Sequence, residues 1–100
     1  MQGNVFKVKE GKLEQWKAWC EELNTTRKAE ALETLKEEGL IYASFVLFSL
    51  NGDHYAIGMG IGEGKESNKN REINQRHMEM KRECLEKVDS FNVLYEIKID

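Results

Sequence analysis

Residues 40–62 read LIYASFVLFSLNGDHYAIGMGIG, two strand-like runs meeting at Asn51-Gly52. Both runs are rich in aromatic and β-branched residues, although glycines interrupt the second. Asn-Gly between them predicts a two-residue type I′ turn, because both central positions need positive φ. Leu50 then pairs with Asp53, which sets Tyr42, Ser44, Val46 and Phe48 on one face with Ile61, Met59, Ile57 and Tyr55. The other face sets Ile41, Ala43, Phe45 and Leu47 against Gly62, Gly60, Gly58 and Ala56. Both faces carry large apolar groups, so the hairpin needs cover on two sides. A chain this short has helices for one, and a second copy of the chain is the economical cover for the other.

With 40% hydrophobic and 33% charged residues, the 100 residues fit one domain spanning 1–100. A chain of this size buries only about 60–70% of its unfolded surface, so association would add stability. Its 15 basic and 18 acidic residues are interspersed, with no basic block of the kind that binds nucleic acid. No run approaches the roughly 20 apolar residues of a membrane span, and Met1-Gln2-Gly3-Asn4 does not open a signal peptide. Cys20 and Cys84 stand far apart in no metal-ligand spacing, which reads as buried thiols in a cytoplasmic protein.

Before the hairpin, Asn4 to Lys9 alternates as a short strand with Phe6 and Val8 on one face. Leu13, Trp16, Cys20 and Leu23 then make a helical stripe with Trp19 at its edge. Asn24-Thr25-Thr26 offers caps for a new helix start, and the pattern of Ala31, Leu32 and Leu35 runs to a stop at Gly39. After the hairpin, residues 62–70 (GEGKESNKN) read as a polar loop. Ile73, His77, Met80, Cys84 and Val88 predict a helix over 71–88, and the alternation of Phe91, Val93, Tyr95, Ile97 and Ile99 predicts a last strand. The order β-α(α)-β-β-α-β defines an α+β, ferredoxin-like fold: a four-stranded antiparallel sheet with helices on one face.

On the segments KVKEGKLEQW, LETLKEEGLIYASF and HMEMKREC, the chain resembles the dimeric α/β-barrel superfamily, and within it an uncharacterised domain-of-unknown-function family of about this length. That resemblance implies a homodimer joined through the sheet faces. Leu35, Lys36, Gly39, Leu40 and Tyr42 are similar to a segment of the sugar mutarotases, but the position of their catalytic histidine falls at Cys20 or near Asn24. Asn4 and His77 resemble two of the three site residues of the haem-degrading monooxygenases, whose third-strand tryptophan has no counterpart in HYAIGMGIG.

His77, on the apolar stripe of the last helix, is the most informative polar residue. It contacts a ligand, moves a proton or ligates a metal, or it is a core histidine with a satisfied nitrogen. Tyr42 is expected to line a cavity between sheet and helices, and with Asn4 and Trp16 it completes the candidate ligand-contact set around His77. Core packing is the ordinary role for Trp16 and Trp19. His54 and the strand charges Glu96 and Lys98 read as exposed. The glycines at 58, 60, 62 and 64 are out of register for a phosphate loop, since Glu63 stands where G-x-G-x-x-G needs glycine. They leave room on one sheet face, either filled by Phe45 opposite Gly58 or open as a small cavity. No metal cluster and no cofactor motif can be recognised. The sequence therefore predicts a dimer that binds a small molecule between sheet and helices. A cofactor-independent isomerase or monooxygenase using His77 and Tyr42 is the alternative.

Overall fold

The computed structural model describes residues 1–99. In chain order it contains β1 (Gln2–Val8), α1 (Leu13–Asn24), α2 (Lys28–Glu37), β2 (Leu40–Leu50), β3 (Asp53–Gly62), α3 (Glu72–Cys84) and β4 (Leu85–Ser90). The strands form one antiparallel sheet in the order β2-β3-β1-β4, which is the ferredoxin-like order, with the helices on one face.

Asn51 at φ +52° and Gly52 at φ +83° close the expected I′ turn. From it the predicted register runs unbroken, through Val46 opposite Ile57, to Tyr42 opposite Ile61. The expected pair of Ile41 with Gly62 does not form: a bulge sets Leu40 against Gly62 and leaves Ile41 exposed. Gly62, at φ +134°, approaches the Gly39 carbonyl so closely that a Cβ there would overlap it. Gly39 itself takes φ +69° and ends α2 as a C′ glycine.

The helices cover the face that carries Phe6, Val8, Phe45, Ala56 and Gly58. The core consists of Phe6, Val8 and Ala56 from the sheet, Trp16 and Trp19 from α1, Ile73, Met80 and Cys84 from α3, and Leu85. Trp19 belongs to the core rather than to the edge of the stripe; it is 2% exposed, whereas Cys20 and Leu23 are half-buried. Between α1 and α2, the Thr25 hydroxyl donates to the Glu21 carbonyl at 2.7 Å and the chain turns.

The last quarter of the chain departs from the sequence reading. α3 ends at Cys84, not Val88, and the strand that pairs with β1 is Leu85–Ser90, not 91–99. Val88 lies four residues after Cys84 and so prolongs the helical pattern, yet it is 57% exposed at a bulge in the β1–β4 ladder. What decides the register is burial of Leu85 opposite Val8. Residues 91–99 join no ladder, and Leu94, Tyr95, Ile97 and Ile99 are exposed. Phe91 alone is tucked in, its ring against Gly3 on the face away from the helices.

Candidate functional site

The glycines of β3 shape the covered face in two ways. A Cβ on Gly58 would meet the Phe45 ring at 2.5 Å, so Phe45 fills the space that this glycine leaves. At Gly60 the nearest side chain, Leu40, lies 3.5 Å from that position, an ordinary contact distance. A cleft of about 520 Å³ results, lined by Gln2, Asn4, Phe6, Leu40, Phe45 and Lys81 over a floor of Ala43, Gly58 and Gly60. A smaller hollow of about 200 Å³ lies between α1 and the hairpin, beside Trp16, Cys20 and Leu47.

Lys81 is the chemically distinctive group of the larger cleft. Its ammonium sits 5.9 Å from the centre of the Phe6 ring. Among the described residues it has no carboxylate within 4 Å and no hydrogen-bond acceptor. Burial lowers its pKa, and the neighbouring Glu38 carboxylate partly offsets that. Glu38 is shifted upward, first by its own burial, then by Glu37, with Lys81 opposing. Asn4 accepts from the Ser90 hydroxyl through Oδ1 at 3.2 Å, which leaves its Nδ2 amide free to donate.

His77 lies one helical turn before Lys81 but opens onto neither cleft. Its Nδ1 accepts from the Trp19 indole N–H at 2.8 Å, which places the proton of the neutral ring on Nε2. The rings of Trp16, Trp19 and Phe45 surround it, with centroids about 6 Å away. This setting pushes the imidazole down to about 4, chiefly by burial and secondarily through the Lys81 charge. His77 is half-buried, and Trp19 already occupies one of its two ring nitrogens. No group of three His, Cys, Asp or Glu among the described residues is arranged to hold a metal ion.

The expected site is therefore divided. His77 and Trp16 meet in the aromatic cluster, Asn4 lines the cleft, and Tyr42 lies on the opposite face of the sheet, half exposed. Tyr42 cannot line a cavity between sheet and helices, because it stands three positions from Phe45 in a regular strand and side chains alternate. Lys81 was missed: beside Met80 it reads as an outward helix charge. The available signal was its spacing, four residues after His77 on the same helix side. His54 is half-buried, with its Nδ1 2.8 Å from the Ser49 hydroxyl.

A small α+β domain with a one-sided helical layer and a glycine-floored cleft is the class that this geometry defines. The chain belongs to the family described as "Family of unknown function (DUF6176)", which matches residues 4–98. No curated protein and no solved structure matches the chain.

Proposed function

We propose that this protein is a homodimer that binds a small organic molecule in the cleft between its sheet and α3. The observation that carries the reading is the partly buried Lys81 ammonium, without a counter-ion in contact among the described residues, at a cleft floored by the small residues Ala43, Gly58 and Gly60. A group held so, at a cost in hydration, is what a recognition site offers a ligand. The dimer reading rests on the uncovered face, where Tyr42, Val46, Phe48 and Leu50 are exposed beside half-buried Val5, Ile57, Met59 and Ile61. Four strands about 4.8 Å apart and about eight residues long present roughly 500 Å². Two such faces would bury about 1,000 Å², the lower bound of a specific interface. Phe91 turns the 91–99 segment toward the same side, where its exposed apolar residues would share that cover. Two free cysteines support a cytoplasmic setting.

An isomerase or monooxygenase built on His77 with Tyr42 finds no support here, since the sheet stands between them and Trp19 occupies Nδ1. Fragment binding followed by amide NMR tests the cleft. Fragments are expected to move the Gly60 backbone and Asn4 side-chain signals ahead of those around Trp16. Shifts confined to the hollow beside Cys20 and Leu47 would place the site elsewhere. No helix among the described residues is long and apolar enough to cross a membrane.

A further inference from the structure

Resting on that cleft, we infer that its ligand is a small monocarboxylate with a short, flat apolar body. The charge comes first. Lys81 is the sole ionised side chain among the residues that line the cleft, and among the described residues it has no partner in contact. A cationic ligand would meet the ammonium unopposed. A phosphate dianion calls for several charge-assisted donors, ordinarily a fork of Arg or a nest of backbone N–H groups, and this cleft offers one ammonium. Glu38 is close enough to bias Lys81, and Glu63 near the rim is paired with Lys65 at 3.7 Å. That negative surround tolerates one ligand charge better than two. A single carboxylate matches the count: one oxygen to Lys81 Nζ, with the Asn4 Nδ2 amide available as a neutral donor.

The body of the ligand follows from the walls. Phe6, Phe45 and Leu40 are apolar, the Phe45 ring lies over Gly58, and the strip at Gly60 beside it is flat because it projects no side chain. A planar ring or short alkyl chain lies on such a strip, whereas a bulky branched group would meet Leu40. The volume of about 520 Å³ falls within the usual range for small-ligand sites. Phe6, already under the ammonium, keeps the charged group at the edge of an apolar surface and so orders the two ends of the ligand.

Benzoate, its uncharged isostere benzamide, benzylamine and inorganic phosphate make the probe set, each titrated by amide NMR at neutral pH. Benzoate is expected to shift Gly60 and the Asn4 side-chain amide, and benzamide to bind at least about tenfold more weakly, the size of a lost charged hydrogen bond. Lys81→Met should weaken benzoate by a similar factor and leave benzamide unchanged. Should that variant fail to fold, Lys81→Gln replaces it, and the benzoate–benzamide contrast on the unaltered protein still decides. Equal binding of benzoate and benzamide would overturn the carboxylate class while leaving the cleft as the site. Preference for phosphate or benzylamine would overturn it in the same way. If no probe of any charge moves the cleft signals, the cleft reading fails and takes the ligand class with it.

Discussion

Strand β3 turns Ala56, Gly58 and Gly60 toward the helices and Tyr55, Ile57, Met59 and Ile61 the other way. On the covered side the small residues let Phe45 and the α1 tryptophans bring the bulk, and Ala56 is 1% exposed. On the other side the strand supplies the bulk itself, and among the described residues nothing covers it apart from Phe91 over Gly3. Apolar content is thus similar on the two faces, but only one is finished. The difference separates the two proposals: a ligand for the cleft on the covered side, and a second copy for the open side.

Val46→Lys breaks the comparison with the largest effect. Val46 is 48% exposed, so the isolated chain should fold with stability within about 0.5 kcal/mol of the original. In a dimer formed through this face the lysine would be buried without a partner, at about 3–5 kcal/mol, and association should fall at least about 100-fold. Light scattering should give about twice 11.6 kDa for the unaltered protein at micromolar concentration and a single chain for the variant. A unaltered protein that runs as a clean monomer, or a variant that still dimerises normally, removes the open face as the interface.

On the covered face the corresponding probe is acid. Folded His77 titrates near 4 against an ordinary value of 6.5, because burial disfavours its charged form. Between those values the unfolded chain binds a proton that the folded one refuses, so stability declines as pH falls from about 6.5 to about 4. The loss from this residue should approach about 3 kcal/mol, and none of it is felt above pH 7. Denaturant melts at pH 7 and pH 4.5 measure it, with His77→Gln as the reference, since the glutamine oxygen can still accept from Trp19. The variant should lose less stability on acidification than the original; equal losses would mean that His77 is not held neutral by the core.

Much of this contrast was legible before any coordinates. Asn51-Gly52 gave the hairpin register, and the pairing of Phe45 with Gly58 followed from it. Which face meets the helices was not legible, because apolar residues occupy both and periodicity cannot rank them. The C-terminal quarter misled for a related reason: residues 91–99 alternate better than 85–90, but strand formation went to the segment that buries Leu85 against Val8. Tyr42 was placed in a cavity by its position at the start of a strand, before the face of that strand was known. For Lys81 the one signal is its spacing from His77, a weak one because a lysine with half its length buried has the same letter as a solvated one.

Ser44 offers the smallest and most local test. It lies on the open face opposite Met59, and its hydroxyl oxygen is enclosed with no hydrogen-bond partner. An unsatisfied buried hydroxyl costs free energy that a methyl group does not, so Ser44→Ala should hold stability constant or raise it by up to about 1 kcal/mol. The neighbouring side chains already seal the oxygen, so a second copy cannot reach it without rearranging them. The gain should then be the same in the dimer as in a monomeric Val46→Lys background, which denaturant melts of the single and double variants can compare. If Ser44→Ala instead weakens the dimer while leaving the monomeric background untouched, the hydroxyl acquires its partner on association. The open face would then repack when the second copy arrives rather than receive it as it stands.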